Sequence, residues 1–282
     1  MKNPTLHFLL TVSLLYFSSG LLAIPYVPPI RTLDVPAREV PIVFDGFDNE
    51  ASWSSAQYVT LFNKEGWDGT DADFSGYLKL CWDMHYLYLF ANITDDINHS
   101  LPPDVWDSWM FDCIEFHLDL DTNNHPSTTY DDNTIQLRFN RGVDSAHIPG
   151  RAQVGDFYFF QMEKPGNNGW ILEAGIPWTC AMPYGSLPED FEEYFANIMG
   201  FDVAFSDSDN AFGDPMTGAR DVMGAWDSDD PDEPSDRTED LAWQNTSVFG
   251  IVDLIGTPAT PPPPPPQPGS GPYIQPVRLL HA

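Results

Sequence analysis

The chain has 282 residues, with 42 Asp and Glu against 12 Lys and Arg, a formal net charge of -30. Such a surface repels phosphates, which argues against nucleic acid or an anionic membrane as partner. With 42% hydrophobic and 14% aromatic residues the chain can still bury a core, so its acidity does not imply disorder.

Residues 1–23 carry Lys2, then an apolar run from Phe8 to Phe17, then the small residues Ser18, Ser19, Gly20 and Ala23. This layout predicts a secretory signal peptide, cleaved after Gly20 or Ala23, and hence a secreted or cell-surface protein. The apolar run is too short to span a bilayer, so no membrane insertion is expected. Residues 24–41 hold Pro25, Pro28, Pro29, Pro36 and Pro41 and read as an extended lead-in.

From there the pattern is that of strands. Residues 77–82 and 86–93 alternate about an Asp83-Met84-His85 turn, which predicts a hairpin. Period-two alternation recurs at 113–118, 135–140, 157–160, 170–174 and 198–205, while only 189–197 looks helical. The fold class is therefore all-β, an antiparallel immunoglobulin-like or jelly-roll sandwich over residues 42–256 with Pro-rich tails. After Leu254, Pro261 to Pro266 form a stiff polyproline spacer ahead of a short tail that reads as a disordered end or as an attachment or sorting segment.

Strand faces decide which side chains are free for chemistry. If Ile114, Phe116 and Leu118 fill the core, then Cys113, Glu115 and His117 face outward; likewise Gln136 and Arg138 face out where Leu137 and Phe139 go in. Glu115, Gln136 and Arg138 thus share a polar face, or are ordinary solvated positions. The three cysteines allow at most one disulfide, and Cys81 and Cys113 lie in predicted strands that could meet across a sheet. Trp53, Trp82, Trp170 and Trp178 read as core or rim.

The order of short motifs resembles the family 9 carbohydrate-binding modules. It is carried by residues 42–53 (IVFDGFDNEASW), 80–88 (LCWDMHYLY), 109–116 (WMFDCIEF), 135–140 (IQLRFN), 170–178 (WILEAGIPW), 200–203 (GFDV) and 243–250 (WQNTSVFG). The resemblance implies a β-sandwich that grips the ends of polysaccharide or oligosaccharide chains between two tryptophans, with structural calcium. By motif, Trp109 and Trp243 resemble the clamp, and Arg220 resembles a further sugar-contacting arginine. Asp240 stands where the family commonly has an amide, and the acidic run 227–240 lengthens the gap before Trp243. A sugar ring offers a C–H face to an aromatic and hydroxyls to polar groups, so Glu115 as acceptor, Arg138 as donor and Gln136 as both suit that chemistry.

Asp-rich loops at Asp95-Asp96, Asp119 to Asn123 and Asp207 to Asn210 supply hard oxygen ligands, and Asp95, Asp96, Asp119 and Asp121 are candidate calcium ligands. The Asp119 loop is not an EF-hand, since its sixth position is not Gly and its twelfth is Tyr130. No GxSxG, HExxH or Walker pattern occurs, and no catalytic role is expected. Two other readings stay open at this point. One is a haem-binding redox sandwich using Met84, His85, His117, His147 or Met162, and the other is a surface scaffold on the same fold.

Overall fold

The computed structural model describes residues 31–60, 63–65, 71–102, 108–120, 129–131, 133–143, 146–147, 157–166, 168–181, 199–209, 220–226 and 242–258. The expected signal peptide, the 189–197 helix, the proline spacer and the tail lie outside them.

The described strands form two sheets. One runs β2 (Val59–Thr60), β4 (Phe74–Trp82), β5 (Tyr86–Asp95), β10 (Trp170–Pro177) and β9 (Tyr158–Glu163) in spatial order, and every pairing in it is antiparallel. The other runs β1 (Thr32–Pro36), β13 (Gly250–Ile255), β11 (Met199–Asp207), β6 (Cys113–Asp119), β7 (Thr134–Asn140) and β8 (Ala146–His147). Two more strands, β12 (Val222–Ala225) and β3 (Asn63–Glu65), extend it beside the far half of β11. The chain is thus a β-sandwich, as the alternation predicts. The one parallel pairing among the described strands joins β1 to β13, so part of the expected lead-in is a strand of the sheet.

Alternation explains the core. Leu78, Leu80, Leu89, Ala91, Leu172 and Ala174 of the first sheet meet Ile114, Phe116, Leu137, Phe139, Phe201 and Val203 of the second. Each of these side chains is removed from water, the main favourable contribution to folding. The β4–β5 turn is set by Asp83, whose Oδ1 accepts from the His85 and Tyr86 amides at 2.8 and 2.9 Å. Its Oδ2 accepts from the Tyr88 hydroxyl at 2.9 Å and meets Arg38 Nη2 at 2.7 Å. At the β9–β10 turn, Gly169 (φ +101°) has no room for a side chain, because a Cβ there would lie 2.1 Å from the Ile93 carbonyl oxygen.

A second apolar layer covers the outer face of the first sheet. Ile42, Phe44 and Trp53, the last on the short helix α1 (Ala51–Ser55), pack on Cys81, Tyr88, Phe90 and Phe160. Trp53, Trp82, Trp170 and Trp178 are all buried, as their sequence context suggests. The possible Cys81–Cys113 bridge is absent: none of the three cysteines is in a disulfide, and all are buried. The physical reason is placement: Cys81 lies on the outer side of one sheet and Cys113 on the outer side of the other, with the core between them.

Beneath that second layer, Glu173 is fully buried and its Oε2 accepts from the Gly46 amide at 2.7 Å. Burial, with Glu50 and Asp45 nearby, pushes its carboxyl up to about 8. The folded state therefore keeps a proton that the unfolded chain sheds above its ordinary value of 4.5, and stability falls as pH rises from there through 8. Glu173→Gln keeps the acceptor and cannot ionise. It is expected to melt at the parent's temperature near pH 5 and above it at pH 9, and equal melting temperatures across that range would contradict the assignment.

Candidate functional site

The outer face of β6 and β7 carries the polar side chains that the alternation places there. Glu115 pairs in register with Arg138 and His117 with Gln136, on antiparallel neighbours. Arg138 Nη2 donates to Glu115 Oε2 at 3.1 Å, and Gln136 Nε2 donates to the same oxygen. Burial works against the Glu115 carboxylate, but Arg138 above all, with Gln136, holds it below its ordinary value, so it is an anion at neutral pH.

Trp109 stands beside this pair on a 3-10 turn, Ser108–Met110, tied down at two atoms of Ser108. Asn140 Nδ2 donates to the Ser108 carbonyl at 2.7 Å, and Arg138 Nη1 donates to the Ser108 hydroxyl at 2.9 Å. The turn thus presents the indole at 37% exposure, and the Arg220 guanidinium sits 5.3 Å from its ring centroid. Trp243 is 52% exposed, next to the buried Ala242.

These residues come together. Trp109, Glu115, Gln136, Arg138, His147, Arg220 and Trp243 line one cavity of about 480 Å³, within the range of small-ligand sites. Two aromatic side chains, a carboxylate, an amide and guanidinium donors around one opening are a complete set for recognising a polyhydroxylated ring. Asp240 lies outside the described residues. His147 is the member that the sequence signalled least, known there only as one of several histidines. It occupies a two-residue strand with no readable period, and its Nδ1 lies 3.2 Å from the Ser108 hydroxyl, which puts it on the Arg138 network. Burial and the Arg138 charge lower its affinity for a proton.

The other haem-ligand candidates do not converge with it. Met84 and His85 lie in the β4–β5 turn, Met162 packs on the outer face of the first sheet, and His117 Nδ1 is hydrogen-bonded to the Tyr130 hydroxyl at 2.9 Å.

A second group of acids gathers at one end of the sandwich, where β5 and β11 finish. Carboxylate oxygens of Asp95, Asp207 and Asp209 lie within 4.8 Å of one another, as do those of Asp73, Asp96 and Asp209. Arg141, itself buried, reaches Asp95 Oδ2 at 2.6 Å and Asp112 Oδ2 at 3.3 Å, and its other nitrogens hold Glu163. One guanidinium does not balance this many carboxylates. Burial and repulsion from Asp95, Asp112 and Asp209 push Asp207 up to about 9, and burial first of all pushes Asp95 and Asp209 to about 6. The Oδ1 atoms of Asp207 and Asp209 are buried without a hydrogen-bond partner. Hard oxygens, crowded charge and unsatisfied acceptors fit a calcium-like cation. Of the residues expected in this role, Asp95 and Asp96 are in these groups. Asp119 is buried at the far end of β6 and belongs to neither, and Asp121 lies outside the described residues. Asp207 and Asp209 come from the third Asp-rich loop of the sequence, and Asp73 joins from a separate stretch of chain, a convergence that spacing does not reveal.

Comparison with known proteins agrees with the fold. The chain is 27% identical over 181 residues to endo-1,4-beta-xylanase A of Thermoanaerobacterium saccharolyticum, a match that covers 64% of this chain and 13% of that protein. It is 27% identical over 181 residues to exoglucanase XynX of Acetivibrio thermocellus, again 64% of this chain and 14% of the relative. The match therefore spans about one seventh of these relatives' length. A solved carbohydrate-binding module of family 9 from Caldicellulosiruptor kristjanssonii in complex with cellotriose superposes with a TM-score of 0.57 at 19% identity, covering 82% of this chain and 96% of that one. Its glucose complex superposes with the same TM-score at 20% identity, covering 83% and 100%. The sequence pattern of the carbohydrate family 9 binding domain-like proteins matches residues 44–257, and this chain belongs to that family.

Proposed function

We propose that the protein is a secreted, non-catalytic module that holds a sugar of a poly- or oligosaccharide between Trp109 and Trp243. The observation that carries this reading is the shared cavity, with both exposed tryptophans and the Glu115–Gln136–Arg138 set on its wall. A pyranose entering it lays a C–H face against an indole, while its hydroxyls donate to Glu115 and accept from Arg138 or Gln136. Arg220, over the Trp109 ring, is a further donor at the rim. Relatives that match include xylanases and an exoglucanase, which directs the first ligands to cello- and xylo-oligosaccharides.

Calcium is proposed as the structural ion, held by Asp95, Asp207 and Asp209 with Asp73 and Asp96 adjacent. Bound there it supplies positive charge to neutralise buried carboxylates, and it takes no part in sugar recognition. The two sheets would then be pinned together where β5 and β11 end.

Isothermal titration of the calcium-loaded protein with cellotriose, xylotriose and glucose tests the reading. Saturable binding of at least one is expected. A folded protein that binds none of them would remove these sugars, and failure on a broad glycan array would remove the carbohydrate reading itself.

A further inference from the structure

Trp243 has an unusual support for a binding residue. Its ring is more than half exposed, and the residue before it, Ala242, is fully buried with its carbonyl fixed from a distant part of the chain. The Tyr130 hydroxyl donates to the Ala242 carbonyl at 2.6 Å, across 112 residues of sequence. The same phenol oxygen lies 2.9 Å from His117 Nδ1. A phenol has one proton, and the carbonyl takes it, so His117 carries its own proton on Nδ1 and donates to the phenol. Burial supports this state by pushing the His117 imidazole down to about 4, which leaves it neutral at physiological pH. Phe249 closes the arrangement, with its ring 6.2 Å from Tyr130 edge-on and 5.9 Å from His117.

His117 lies two residues beyond Glu115 on the same outward face of β6. The chain of bonds from His117 through Tyr130 to Ala242 therefore connects the strand that carries the cavity's carboxylate to the peptide that carries its second tryptophan. We propose that Tyr130 is a positioning residue for sugar binding, a strut that sets Trp243 against the Glu115–Arg138 wall, with His117 fixing the direction in which the phenol donates. This proposal rests on the sugar site described above and adds the element that holds its second aromatic in register.

Tyr130→Phe keeps the ring and its contact with Phe249 and removes the hydroxyl that forms the strut. In protein labelled with 5-fluorotryptophan, the ¹⁹F line that Trp243→Phe deletes is expected to shift or broaden in Tyr130→Phe without any sugar, while the Trp109 line stays in place. Cellotriose affinity is expected to fall about tenfold, the scale of one buried hydrogen bond. In a Trp243→Ala background the same change is expected to cost less than twofold, because the group it positions is gone. An unmoved Trp243 line in folded Tyr130→Phe would overturn the proposal, as would equal loss of affinity in both backgrounds. His117→Leu, which removes the donor to the phenol, should move the same line, and it serves if Tyr130→Phe does not fold. Should the parent bind no cellotriose, the sugar reading fails for that ligand, while the sugar-free ¹⁹F spectrum still decides the strut.

Discussion

Trp109→Ala is expected to weaken cellotriose binding about 30- to 150-fold with little change in melting temperature. The magnitude follows from the ring's place at the cavity wall: truncating a central aromatic in a binding site costs about 2–3 kcal/mol, and each 1.4 kcal/mol is tenfold. The small effect on stability follows from exposure, since the indole is 37% open and the turn below it is tied through Ser108 rather than through the ring. Trp53→Ala is the contrast. That ring is fully buried in the second apolar layer, and its loss is expected to cost about 3–5 kcal/mol of stability. Isothermal titration and thermal melts on the two variants separate the roles. A Trp109→Ala protein that binds cellotriose as tightly as the parent would remove this indole from the sugar contact.

Calcium removal carries the second large effect, and on stability rather than affinity. A ligand present at 100 times its dissociation constant stabilises the folded state by about 2.7 kcal/mol, and about 2–4 °C accompanies each kcal/mol in a domain of this size. Excess chelator is therefore expected to lower the melting temperature by about 5–10 °C, and added calcium to restore it. The effect should grow with pH. Without a cation, Asp95, Asp207 and Asp209 keep protons to about 6, 9 and 6, well above the ordinary 3.8. The folded state then holds protons that the unfolded chain has lost, so stability falls as pH climbs from about 4 through 9. With calcium bound, the metal replaces those protons and the slope flattens. Thermal melts at pH 5 and pH 8.5, with calcium or with chelator, should show the larger gap at pH 8.5. A chelator effect that is absent at both values would dismiss the ion from this cluster.

How much of this could be read from the chain depends on how local each signal is. The strands β4, β5, β6, β7, β10 and β11 were legible because alternation is a property of a few consecutive residues. The same rule put Glu115, Gln136 and Arg138 on one face, since side chains in a strand alternate whatever the neighbours are. β1 was legible as extended but not as paired, because its partner β13 lies more than 200 residues on. The short strands β2, β3 and β8 have too few residues to show a period, and His147 was lost with β8. Cys81 and Cys113 illustrate a different limit: each face was readable on its own strand, but which sheet each strand joins is decided by the core packing. The carboxylates around Asp207 come from β5, β11 and the residues beside them, and only the closed sandwich brings those ends together.

The parallel pairing of β1 with β13 also has a mechanical meaning. The chain enters β1 at Thr32, beside Ile251, and leaves β13 at Ile255, beside Pro36, so the two ends depart from opposite ends of one ladder. Tension between the segment before β1 and the proline spacer after β13 would therefore act along the strands. It would load the inter-strand hydrogen bonds in shear, all together, instead of peeling them one at a time. A module held by the segment before β1 and pulled through the spacer after β13 would meet that force at the β1–β13 ladder as a sliding resistance rather than as an unzipping edge.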